Sequence, residues 1–117
     1  MHILIEQWRY RAAWLMLSEV QRADFLAKVG QSMIELEKAG VTTLGWGDID
    51  QNVDHAAPYD FVALWQAESE TALDFMLDQI RQSGWYDYFE HHNIRSTLVM
   101  PPVILKKHVL AETIASD

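Results

Sequence analysis

The chain predicts an α+β domain whose strands and helices alternate in the order β-α-β-β-α-β. Three observations carry this reading. Two apolar stripes at helical spacing each open on a serine and close on a glycine, short β-branched and aromatic runs flank them, and one of those runs is apolar on both faces. At 117 residues, half of them hydrophobic, the chain suits one domain, 1–117, with a real core.

Ile3 to Tyr10, rich in Ile, Trp and Tyr, reads as the first strand. Ala12 to Leu17 is apolar and fits either a strand end or a packed turn. Ser18 makes an N-cap, and Gln21 completes a capping box. The helix that follows reaches about Ala39, with Leu26, Val29, Met33 and Leu36 as its buried stripe, and Gly40 ends it. Val41 to Ile49 is the second strand, where Gly45 and Gly47 mark a bulge or the close approach of a backbone or ligand. After a polar loop, Asp50 to Pro58, comes the third strand, Tyr59 to Ala67. Its odd positions include Phe61, Ala63 and Trp65 and its even ones Val62 and Leu64, so both faces ask to be covered.

Ser69 caps a second helix with Ala72, Leu73, Met76, Leu77 and Ile80 on its inner side, and Gly84 interrupts or ends it. Trp85 to His92 reads as a further helical turn or two. Ile94 to Met100 reads as the fourth strand, which Pro101-Pro102 stops. The tail 101–117 is expected to hold a short strand or an exchanged arm over Val103 to Leu110. This order is that of a ferredoxin-like sandwich. Two helices cover one sheet face, while the third strand asks for two, and a second copy packed sheet to sheet answers this as a dimeric α/β barrel.

The net charge of −8 and a single adjacent basic pair, Lys106-Lys107, deny the chain the counterion release that drives nucleic-acid binding. An anionic membrane repels such a chain, and Ala12 to Leu17 is too short to span a bilayer. The absence of Cys removes disulfides, thiolate nucleophiles and Cys-based metal sites. Met1 to Glu6 carries no basic segment leading into a long apolar run, so no secretory signal is read and the cytoplasm is the expected location.

The run Phe61-Val62-Ala63-Leu64-Trp65-Gln66-Ala67-Glu68-Ser69, followed by a helix, resembles the third strand and second helix of the dimeric α/β barrel proteins. That group includes the antibiotic-biosynthesis monooxygenases, the muconolactone isomerases and the haem-degrading monooxygenases. Over roughly residues 1–100, through Gly84-Trp85-Tyr86-Asp87-Tyr88-Phe89-Glu90, the chain further resembles an uncharacterised bacterial family of that fold. The resemblance implies a homodimer with a pocket between sheet and helices in each subunit. It also implies activities such as oxygenation without metal or flavin, isomerisation, lactone chemistry or haem cleavage. Trp65 matches the strand-three Trp of the monooxygenases. Their strand-one Asn is not matched, since Glu6 and Gln7 stand in that region, and the helix-two His of the haem degraders is absent from 72–83. The fold hosts unrelated chemistries, so function rests on the site.

His55, in the polar loop, and His91 and His92, after the aromatic run, are the candidate proton-transfer residues. A helical continuation puts Asp87 and His91 on one face, where the carboxylate would orient the imidazole. Tyr59, Trp65, Trp85 and Tyr86, with Trp46 and Tyr88 near them, would hold a flat apolar ligand. Asn93 or Arg95 would polarise or anchor a ligand oxygen. The bland readings are a solvated loop histidine, a helix end carrying histidines, a capping Asn, surface Arg and plain aromatic packing. Asp48, Asp50, Asn52 and Asp54 alternate as calcium ligands do, but Val53 and Tyr59 stand where that loop needs Gly and Glu. No metal and no cofactor are therefore expected. The function expected is a small-molecule-binding homodimer, either a cofactor-independent monooxygenase or isomerase acting on an aromatic or carbonyl compound, or a non-catalytic binding or stress-response module.

Overall fold

Alternation along the first strand, β1 (His2–Tyr10), sends Leu4, Glu6 and Trp8 to a buried face and leaves Ile3, Ile5 and Gln7 half-buried on the other. The computed structural model of the protein describes residues 1–115. After β1 come α1 (Ala12–Leu15), α2 (Glu19–Lys38), β2 (Val41–Asp48), β3 (Phe61–Ala67), α3 (Glu70–Ser83), α4 (Trp85–Tyr88), β4 (Phe89–Thr97) and α5 (Pro101–Val109). The strands form one four-stranded sheet in the order β2-β3-β1-β4, and every neighbouring pair is antiparallel. This is the ferredoxin-like arrangement, with β1 and β3 central and the main helices α2 and α3 on one face.

The local signals act as their chemistry requires. Ser18 accepts from the Gln21 amide at 3.2 Å, while the Gln21 side chain accepts from the Ser18 amide at 2.9 Å, so both halves of the capping box are present. Ser69 accepts from the Ala72 amide at 3.1 Å and starts α3. Gly84 ends that helix with φ of 84°, a left-handed conformation that costs glycine little. A register shift between Thr43 and Gly45 places a bulge in β2 where the glycines are spaced.

The core lies between the sheet and the two long helices, with Leu4, Ala63, Leu73 and Met76 almost wholly enclosed. Helix α2 turns its stripe slightly from the expected one. Phe25 packs on the core together with Val29, Met33 and Leu36, while Leu26 is exposed, because the aromatic ring reaches Trp14, Trp85 and Tyr88.

Two elements differ from expectation. The helix after Gly84 lasts only to Tyr88, and Phe89 onward pairs with β1, Tyr10 opposite Phe89 and Trp8 opposite His91. Strand pairing over nine residues satisfies backbone groups that a short terminal helix would leave to solvent. Asp87 and His91 therefore share no helix face, and His91 and His92 point to opposite sides of the sheet. The segment Pro101–Val109 is a helix, not a strand. Pro occupies its first turn, where the missing amide costs nothing. All of α5 is exposed, and the molecule measures 60 × 34 × 25 Å.

Leu73→Ala should destabilise the protein by about 3 kcal/mol, as buried leucines do. Leu26→Ala should cost less than about 1 kcal/mol. Urea unfolding of both variants, with Leu36→Ala on the buried side of α2 expected to cost several times more than Leu26→Ala, checks which side of α2 faces the core.

Candidate functional site

Glu6 is the one charged side chain buried among the described residues, at 5 % exposure. Period-two alternation puts it on the helix-facing side of β1 between Leu4 and Trp8, opposite Ala63 on β3 and Asn93 on β4. Ala63 is small and fully enclosed, which leaves space above the sheet at this level. A cavity opens there. The sheet side contributes Glu6, Trp8, Trp46 and Trp65, α2 adds Val29, Ser32, Met33 and Leu36, α3 adds Met76, Gln79, Ile80 and Ser83, and Trp85 completes the lining. The centres of water-sized spheres have about 50 Å³ to move in, room for a few waters or one compact organic group.

The tryptophans are arranged as a chain of nearly perpendicular walls. Trp65 meets Trp46 edge to face at 5.9 Å and 69°, Trp46 meets Trp8 at 5.3 Å and 77°, and Trp8 meets Trp85 at 5.6 Å and 74°. The Trp65 Nε1 is buried and has no hydrogen-bond partner, an unusual state for a buried donor.

Behind Glu6 lies a polar network. Trp85 Nε1 donates to His91 Nδ1 at 3.0 Å. An indole can only donate, so Nδ1 must be the unprotonated nitrogen and the ring proton sits on Nε2. Nε2 faces Asn93 Oδ1 at 2.7 Å and Glu6 Oε2 at 3.2 Å. The His91 side chain is 3 % exposed, parallel to Trp8 at 6.3 Å, with Tyr86 edge-on at 5.2 Å. A second proton on His91 would break the Trp85 bond. While that bond stands, Nε2 offers Glu6 an N–H, and no Lys or Arg lines the cavity beside the carboxylate.

The structure thus brings together Trp65, Trp85, Tyr86, His91 and Asn93 of the residues singled out from sequence. Trp46, named beside them, also lines the cavity, while Tyr59, His55, His92 and Arg95 lie apart. His92 is on the opposite sheet face, its ring 5.6 Å from that of Tyr59. Tyr59 in turn lies under the Arg9 guanidinium at 5.5 Å. The hydrogen bond between Arg9 Nε and Glu90, 2.7 Å long, raises the Arg9 pKa and lowers that of Glu90. His55 is exposed in the loop between β2 and β3, with φ of 57°. Arg95 donates to Asp74 Oδ1 at 2.7 Å and to the Glu70 carbonyl at 3.0 Å, which ties β4 to α3 away from the cavity. Asp50 accepts from the Asn52 amide at 2.8 Å in a local turn, and among the described residues no three acidic or histidine side chains converge as a metal site. Glu6 is the site residue that sequence reasoning passed over, and its signal was an acid at the centre of an otherwise apolar strand face.

No curated protein matches the chain. The profile of a family of unknown function, DUF6616, matches residues 1–111, and the chain belongs to that family. Among solved structures, a double mutant of chlorite dismutase from Candidatus Nitrospira defluvii superposes with a TM-score of 0.61 at 12 % identity, over 98 % of this chain. The chain spans half the length of that enzyme's chain. At this identity the likeness is one of fold.

Trp85→Phe deletes the bond to His91 and leaves its Nδ1 without a donor, whereas Trp65→Phe deletes an N–H that bonds to nothing. The first variant should be the less stable by about 1–2 kcal/mol in urea unfolding. Equal losses would mean that the Trp65 donor has a partner after all.

Proposed function

We propose that this member of the DUF6616 family binds a small organic molecule in the cavity between sheet and helices, works as a homodimer, and transfers a proton at Glu6. One observation carries the reading. A buried carboxylate and a buried indole N–H without a partner line the same tryptophan-walled cavity. A core selected for stability alone would hold apolar side chains at both places, since burying a carboxylate costs free energy even beside the one imidazole N–H, and burying an unpaired indole N–H adds to that cost. Such costs are retained where a ligand offsets them.

The chemistry follows from the two groups. Trp65 Nε1 would donate to a ligand oxygen and steady negative charge that develops there. Glu6 would take the proton released beside that oxygen and return it at a second atom, with His91 Nε2 and Asn93 keeping the carboxylate oriented. Proton-transfer isomerisation of this kind needs no co-reactant, whereas oxygenation would also consume dioxygen. A non-catalytic binding module would use the same cavity without turnover.

The homodimer is supported by the uncovered side of the sheet. Ile5 pairs with Leu64 on one side and with Ile94 on the other, forming an apolar row across three strands, and Leu64 and Ile94 are about 40 % exposed. A second copy packed sheet to sheet would cover this row and the half-buried Val62 and Gln66 beside it.

Glu6→Gln keeps the size of the side chain and removes its basicity. With a substrate in hand, it should lower turnover by about a hundredfold or more while ligand still quenches tryptophan fluorescence. Unchanged turnover would move the chemistry elsewhere, and a ligand bound but never converted by the native protein would support the binding module. Ile94→Glu should convert a dimer into a folded monomer in sedimentation velocity, and a dimer that survives this change would not use the open sheet face.

A further inference from the structure

The electrostatics and the wall geometry of this cavity narrow the class of ligand. This inference rests on the cavity being a ligand site, as proposed above, and goes on to say what kind of molecule enters it. No Lys or Arg lines the cavity, and its single charged group is Glu6. The nearest imidazole, His91, cannot act as counter-ion while its Nδ1 accepts from Trp85. The arginines are occupied elsewhere, Arg95 by Asp74 and the Glu70 carbonyl, Arg9 by Glu90 and the Pro58 carbonyl. Arg11 is held by the Tyr86 carbonyl in α4, Arg22 by the Trp14 and Leu15 carbonyls in α1, and Arg81 by Asp78. A carboxylate this enclosed favours a cation, and among the described residues its close polar partner is the His91 N–H, with no Lys or Arg lining the cavity.

The walls fit the same partner. Indole is the aromatic side chain that attracts cations best, through the negative face of its ring. Four indoles line the cavity, and successive rings stand nearly perpendicular. Walls at right angles surround a rounded cationic group better than they clamp a flat ring, which asks for parallel faces. Met33 and Met76 add polarizable thioethers. The free space suits a group of a few heavy atoms. A net charge of −8 draws small cations toward the molecule and repels anions. The unpartnered Trp65 N–H calls for one further feature, an oxygen acceptor on the same molecule.

We infer that the cavity binds a small organic ammonium compound carrying a hydroxyl or carbonyl oxygen, with the cationic head among the tryptophans beside Glu6 and the oxygen on Trp65 Nε1. A neutral aromatic carbonyl compound would satisfy Trp65 but bring no positive charge to Glu6.

The test compares choline with its uncharged carbon isostere, in which a tert-butyl group replaces the trimethylammonium. Both are titrated into the native protein at constant ionic strength, with tryptophan fluorescence and calorimetry as readouts. Choline should bind saturably and on the order of tenfold or more tighter than the isostere. Glu6→Gln should shrink that preference, as should Trp46→Leu, a change at a partly exposed wall that leaves the buried core in place. Equal binding of the two compounds, or no binding of choline, overturns the cationic class. The ligand-site reading itself then falls only if neutral probes such as phenol and cyclohexanone also leave the tryptophan signal and the calorimeter silent.

Discussion

The hydrogen bond from Trp85 to His91 couples the helical layer to the edge of the sheet, and the character of the cavity depends on it. Gly84 turns the chain out of α3 in a left-handed conformation and delivers Trp85 into the core, 4.1 Å from Phe89. The chain then enters β4, so that His91 comes back beneath the same indole. One donor without acceptor capacity sets the tautomer of the histidine. That tautomer presents N–H to Asn93 and Glu6, and it denies Glu6 a positive neighbour. The charge of the cavity is thus decided one residue behind its lining.

The tryptophans serve stability and function together. Trp8, Trp65 and Trp85 are each more than nine-tenths buried and supply much of the apolar surface that a domain of this size must enclose. Their edge-to-face contacts, though, leave a space between sheet and helices that aliphatic side chains would have filled. Ala63, opposite Glu6, keeps that space open from below. The other face of the sheet is a separate problem, solved by different residues. Ile5, Leu64 and Ile94 make it apolar at its centre, while Arg9, Glu90, Tyr59 and His92 make one end polar. An apolar centre with a polar margin is the pattern of surfaces that meet another protein. Helix α5, exposed along its length with Val103, Ile104 and Leu105, extends the same acceptance of contact beyond the body.

Much of the fold could be read from local chemistry. The capping box at Ser18 and Gln21, the cap at Ser69, and the glycines at 40 and 84 are short-range signals, and each stands where its side-chain or backbone chemistry places it. Where reading failed, long-range pairing decided. The segment Phe89–His92 has no local preference strong enough to choose helix or strand, and the free edge of β1 chose strand. Leu26 and Phe25 compete for the same side of α2, and the choice went to the ring that Trp14 and Tyr88 could meet. Pro101-Pro102 stops a strand as expected, yet the same two prolines also suit the first turn of a helix.

The sequence by itself determined the α+β order, the bounds of the two long helices, the acidic balance and the wealth of aromatic residues, because each is a property of neighbours along the chain. It also drew attention to Trp65, Trp85, Tyr86, His91 and Asn93 as residues able to hold or move a ligand. Tertiary structure alone decided that these meet Glu6, because they come from β3, α4 and β4, far along the chain from β1. It alone decided that His91 faces the helices while His92 faces away, since the two-residue period of a strand acts only once the register with β1 is set. The carboxylate at position 6 is an ordinary charge in the sequence, and burial among tryptophans, with no Lys or Arg lining the cavity, makes it the centre of the site.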